Sequence, residues 1–110
     1  MLTRPSDFAS LQRDGTSRAS ALVSVRVRRT ELEVVRFGIA TGKRVGGSVV
    51  RNRVRRRIRE TLRADAPRLV PGWDVLIVAR PQSAVADQRS LAASIDRLLL
   101  RSGVLPGDPA

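Results

Sequence analysis

Val49 to Ala64 reads VVRNRVRRRIRETLRA, a segment with seven arginines and one acid, Glu60. At about 100° per residue, Val50, Val54, Ile58, Thr61 and Leu62 fall on one continuous stripe of a helix. Asn52, Arg56, Arg59 and Arg63 fall on the stripe directly opposite, and Arg51, Arg53, Arg55 and Arg57 lie on the flanks. The apolar stripe has to dock on a core, so the opposite one has to face outward with about one guanidinium per turn. Such a surface repels itself and is best relieved by phosphates. A solvated helix ordinarily mixes its signs, and a membrane-surface helix would present its apolar residues to lipid, whereas this one needs its Val and Ile for the core.

Immediately upstream, Gly42-Lys43-Arg44-Val45-Gly46-Gly47-Ser48 adds two cations and three glycines. Ser48 suits the N-cap of the helix, and free amides with the positive end of the helix dipole would favour an anion there. The glycines serve equally well as plain turn and cap. The motif is not a P-loop, since Arg44 follows Lys43 where Ser or Thr would be needed. Downstream, Pro67 and Pro71-Gly72 close the helix near Ala64.

On either side lie strands. From Ala21 to Arg29, Val23, Val25 and Val27 alternate with Leu22, Ser24, Arg26 and Arg28; after a short polar connection, Val35, Phe37 and Ile39 alternate with Val34, Arg36, Gly38 and Ala40. Two half-buried strands are expected, paired as a hairpin, with Ser24, Arg26, Arg28 and Arg36 on an outer face suited to an extended RNA strand. Trp73 to Ala79 is apolar on both faces, as a central strand requires. A short helix is expected from Ser6 to Arg13, ended by Gly15, and a last one from Asp87 or Ser90 to Ser102, with Gly103 as its stop. The expectation is one α+β domain over residues 1–105, an α/β sandwich of order α-β-β-(β)-α-β-α, followed by a disordered tail over residues 106–110.

Composition narrows the function. The 110 residues carry a formal charge of +11, with 20 Arg and Lys43 as the one Lys; codon usage accounts for Arg over Lys but not for the excess of charge. One basic domain of this kind fits a polyanion, nucleic acid first. Without Cys or His, thiolate nucleophiles, imidazole bases and ordinary zinc sites are excluded. The acids Asp7, Asp65, Asp74 and Asp87 are scattered and suggest no two-metal site. MLTRPSDFAS lacks the apolar stretch of a signal peptide, and Val75 to Ala79 is too short to span a bilayer, so a cytoplasmic protein without a membrane partner is expected.

Arg36-Phe37-Gly38, Lys43-Arg44-Val45-Gly46 and the run from Val49 to Glu60, with its Arg-Asn-Arg triplet, resemble the signature of the bacterial ribonuclease P protein component. The resemblance extends from Asp7-Phe8 through Gly15 to the Val75–Arg80 strand and the Leu-rich last helix. It implies a ribosomal-protein-like fold in which the basic helix lies in a left-handed β-α-β crossover, where the default for parallel strands is right-handed. It implies that Lys43, Arg44, Arg51, Asn52, Arg53, Arg55, Arg56, Arg57, Arg59 and Arg63 face a catalytic RNA. It also implies that a groove between the first helix and the sheet, with Phe8, Gln12, Ser24, Arg26, Arg28 and Arg36, holds the 5′ leader of precursor tRNA. Phe8 suits the core equally well.

The chain departs from the family where Gln12, Leu22 and Val25 replace aromatics and where Gly42 and Gly47 replace Ser and Asn. Since each base stacked on an aromatic contributes ~1–3 kcal/mol, leader binding should lean on charge and shape. The implied chemistry is hydrolysis by the RNA with Mg bound mainly by RNA and substrate, no catalytic residue and no metal in the protein, and no obligate protein partner. A structural RNA-binding protein of the same fold and a protein-only nuclease are the alternatives.

Overall fold

The computed structural model describes the backbone of residues 5–107 and side chains from residue 9 onward. Helix α1 (Pro5–Asp14) leads into a short strand β1 (Thr16–Ala19), then β2 (Val23–Arg29) and β3 (Val35–Thr41). The basic helix α2 (Ser48–Asp65), β4 (Trp73–Ala79) and α3 (Gln88–Ser102) complete the chain. Together they form an α+β domain, as expected, with a four-stranded mixed sheet. Of the expected tail, residues 108–110 lie outside the described residues.

The sheet order is β1-β2-β4-β3, with β2 antiparallel and β3 parallel to β4. The expected hairpin between β2 and β3 does not form, because β4 lies between them. The reason is burial: Val75, Leu76, Ile77 and Ala79 are all buried, so β4 needs cover on both faces and both edges. β2 and β3 each offer only one apolar face and flank it. Their connection, residues 30–34, runs over the start of β4, where Thr30 N donates to Gly72 O at 2.8 Å and Gly72 N to Val34 O at 3.1 Å. Gly72 has φ +94, a conformation that disfavours other residues at this crossing.

One face of the sheet carries Val23, Val25, Val27, Val75 and Ile77, all buried against Val54, Ile58 and Leu62 of α2 and Leu91, Ile95, Leu98 and Leu99 of α3. At ~25 cal/mol per Å2 of apolar surface, this layer is the main source of stability. The other face is covered only in part: Leu11 of α1 packs on Leu76, with Ala40 and Val78 beside it.

Two ends differ from the sequence-based expectation. Gly47, not Ser48, is the N-cap of α2, and it makes no side-chain cap bond. Ser48 is instead the first helical residue, exposed to solvent. Helix α3 starts where expected, with Asp87 Oδ1 accepting from Ser90 N at 2.7 Å, and ends at the left-handed Gly103.

Candidate nucleic-acid interface

The 3.6-residue periodicity of α2 decides what it shows to solvent. Val54, Ile58, Thr61 and Leu62 are buried, while Asn52, Arg56, Arg59 and Arg63 are exposed, as the helical stripes predict. Among the described residues, Arg56, Arg59, Arg63, Lys43 and Arg44 form no ion pair and no side-chain hydrogen bond.

The flanking arginines are held differently. Arg53 Nη2 donates to Ala84 O at 3.0 Å and Arg57 Nη1 to Ala86 O at 2.7 Å, so both tie α2 to the loop between β4 and α3. Arg55 donates to Asn52 Oδ1 at 2.9 Å and Thr41 Oγ1 at 2.6 Å. Arg51 is half-buried, and its Nε has no partner. Of the ten residues expected at an RNA surface, Lys43, Arg44, Asn52, Arg56, Arg59 and Arg63 thus face outward, Arg53, Arg55 and Arg57 latch the helix to its neighbours, and Arg51 stands in neither set.

At the N-terminus of α2, a 3-10 turn over Lys43–Val45 is pinned by buried Val45 and presents both cations outward. Gly46 then takes φ +149, and a Cβ there would meet the Val50 side chain at 3.0 Å. Only glycine passes comfortably between the cationic turn and the helix.

The sparsely covered sheet face forms the second cationic region, in three cross-strand rows. Arg28, Asp74 and Arg36 make the first, Arg26, Leu76 and Gly38 the next, and Ser24, Val78 and Ala40 the third. The four polar residues expected on one face are therefore brought together, with β4 interposed. In the first row the fully buried Asp74 accepts from Arg28 Nη2 at 2.9 Å, from Arg36 Nε at 2.8 Å and from Arg36 Nη2 at 2.7 Å. Burial pushes the Asp74 carboxyl up, but the hydrogen bonds and charges of Arg36 and Arg28 outweigh it and hold the group below the usual range.

Arg26 closes the end of α1, donating from Nε to Leu11 O at 2.8 Å, from Nη1 to Ser17 Oγ at 2.6 Å, and from Nη2 to Gln12 O. Gln12 is exposed beside it. The Phe8 side chain lies outside the described residues.

A family model described as Ribonuclease P matches residues 1–103. The chain belongs to the ribonuclease P protein family. The ribonuclease P protein component of Roseiflexus castenholzii is 37% identical over 107 residues, covering 96% of this chain and 88% of that protein. That of Clostridioides difficile is 32% identical over 104 residues, covering 94% and 91%. Among solved structures, a Staphylococcus aureus RNase P protein mutant with defective mRNA degradation activity superposes with a TM-score of 0.89 at 23% identity, covering 94% of this chain and 88% of that one. The RNase P protein from Thermotoga maritima gives 0.80 at 23%, covering 92% and 93%. At these identities the two structures establish the shared fold.

Membership in the ribonuclease P family places the chain in endonucleolytic processing of tRNA as an RNA-binding protein of a ribonucleoprotein. Two features of this ribonuclease P protein escaped the sequence reading. Asp74 looks like one more scattered acid, although a single acid inside the apolar run WDVLIVA is a signal for a buried ion pair. The strand β1, TSRA, is exposed throughout and has no apolar alternation to reveal it.

Proposed function

We propose that this protein is the non-catalytic subunit of ribonuclease P: it binds the catalytic RNA through α2 and the Lys43–Val45 turn, and the 5′ leader of precursor tRNA on the open sheet face. The observation that carries the reading is the outward stripe Asn52, Arg56, Arg59 and Arg63, which meets no compensating acid in the described chain. A guanidinium forks onto phosphate oxygens, and each phosphate contact releases counterions, so this face gains most from a folded RNA. Arg51 continues it, while Arg53, Arg55 and Arg57 act mainly by holding the helix and its neighbouring loop in shape.

On the leader side, Arg26, Arg28 and Arg36 are positioned by Leu11, Gln12, Ser17 and Asp74, so the groove offers a preset, partly neutralised rim and a floor of small and aliphatic residues. Such a surface suits an extended strand read by shape. By screening repulsion between the two RNAs and holding the leader, the protein raises affinity and broadens the range of precursors cleaved.

Magnesium and the hydrolytic step belong to the RNA and its substrate in this reading. In support, the acids with assigned partners serve other ends: Asp74 holds two arginines, Asp65 pairs with Arg68 at 3.9 Å, and Asp87 caps α3. The site of action is the cytoplasm, where precursor tRNA is made. Among the described residues, no helix is long and apolar enough to cross a membrane.

The test is cleavage of precursor tRNA by the cognate RNA at low magnesium, with and without this protein. Stimulated release of the 5′ leader is expected, and equal rates would overturn the assignment. Cleavage by the protein without RNA would overturn the non-catalytic role.

A further inference from the structure

β3 is an edge strand, and α2 does not cover it completely. Val75 and Ile77 on the neighbouring β4 are fully buried, whereas their cross-strand partners Phe37 and Ile39 are only half-buried, as is Val35 on the same face. The uncovered strip is the floor of a cavity of about 330 Å3. Leu62 from α2, together with Ala66 and Leu69 from the turn that follows it, forms the opposite wall. Arg59 and Arg63, one helical turn apart and both exposed, complete the lining, and no acid contributes to it.

We propose that this slot receives an unpaired nucleobase of the partner RNA, stacked against Phe37, with the adjoining phosphates on Arg59 and Arg63. The inference rests on the reading of an RNA partner above and names a contact within it. The volume falls at the small end of the ~300–1,000 Å3 typical of ligand clefts and suits one planar ring system. Its two kinds of surface match the two halves of a nucleotide: an aromatic and aliphatic floor for the base, and a pair of arginines whose Cβ atoms lie about 6 Å apart on the helix, for successive phosphates. A protein strand could also add to the open edge of β3, but the two arginines at the slot and the charge of +11 favour a polyanion.

The slot also explains an otherwise inefficient feature. Leaving apolar residues half-exposed at a sheet edge invites association with other chains, and the flanking arginines suppress that while recruiting phosphate. An RNA with a flipped or looped base satisfies both surfaces at once, whereas a regular duplex would meet the arginines and leave the floor empty.

The experiment compares the wild type, Ala66→Trp and Phe37→Leu in complex with the cognate catalytic RNA. It combines nucleotide-resolved modification of base edges with titrations over a range of salt. Ala66→Trp fills the slot from an exposed position, and Phe37→Leu keeps an apolar residue while removing the stacking surface. The expected result is one unpaired base that is protected by the wild type and becomes reactive with Ala66→Trp. Affinity should fall about 5- to 150-fold, the equivalent of one base stack, while the slope of log K against log salt is unchanged.

A Trp variant that melts like the wild type and leaves both protection and affinity unchanged would overturn the slot. Should Ala66→Trp fail to fold, undiminished protection with Phe37→Leu would do the same. If the wild type bound the catalytic RNA no better than an unrelated RNA of equal length, the proposed function itself would fail, a result distinguishable from failure of the slot alone.

Discussion

The molecule carries two arginine surfaces that are built in opposite ways. On the sheet face, Arg28 and Arg36 converge on the buried Asp74 and Arg26 is spent on the end of α1. On the outward face of α2, Arg56, Arg59 and Arg63 are exposed and have no acid partner among the described residues. The first surface contributes to stability and has its charge partly cancelled; the second costs stability through self-repulsion and keeps its charge for a ligand. Arginine count alone does not distinguish them, since position relative to an acid decides which role each takes.

The largest expected effect comes from breaking the sheet-face network. Asp74→Asn should lower unfolding stability by about 2–4 kcal/mol in a urea titration, somewhat less than the ~3–5 kcal/mol of a fully buried pair because Arg28 and Arg36 still reach water. The pH dependence follows the same pair. With its carboxyl held below the usual range, Asp74 contributes fully above the unfolded carboxylate pKa of ~3.9, and its contribution is lost as pH falls through the lowered value. The variant should lack that acid limb of the stability profile.

The α2 surface should respond in the opposite sense. Arg44→Ala with Arg56→Ala is expected to leave stability within about 0.5 kcal/mol. The same pair of changes should flatten the log K against log salt slope for the catalytic RNA by about 1.5, from ~0.7–0.9 per lost phosphate contact. A full slope with this double variant would mean that the two surfaces have been assigned the wrong way round.

Arg53 sharpens the comparison because it lies between the two. Its bond to Ala84 O predicts that Arg53→Ala costs about 1 kcal/mol and speeds amide exchange in residues 83–86, with a smaller change in salt slope than Arg56→Ala. Equal slopes for the two single variants would move Arg53 into the ligand-facing set.

The last comparison concerns the seam between α2 and α3 and is read from pH rather than from a ligand. Burial and the neighbouring Asp96 raise the Asp65 carboxyl to about 7, against a modest pull from Arg68. The folded protein therefore holds a proton that the unfolded chain has released between pH ~4 and ~7, and stability should fall as pH rises through that window. Asp65→Asn should remove this slope and be the more stable form at pH 8, as urea midpoints at pH 5 and pH 8 would reveal.

Much of this was legible from residue order. The stripes of α2, the central place of β4, the stops at Gly15 and Gly103 and the family itself all follow from local patterns, in which each residue reports its own environment. The separation of β2 from β3 is not legible, because adjacent alternating strands look like a hairpin whether or not another strand inserts between them. The cap of α2 is legible only to within one residue because Ser48 and Gly47 both suit a helix start.

Sequence by itself determined the element types, the charge and the face of α2 that carries it, since helical and strand periods are properties of the local chain. Only the tertiary structure decided which arginines are occupied. The partners of Arg28, Arg36, Arg53 and Arg57 lie 46, 38, 31 and 29 residues away along the chain. Contacts at such separations arise from how the strands, the helix and its neighbouring loop pack in space, and no local pattern encodes them.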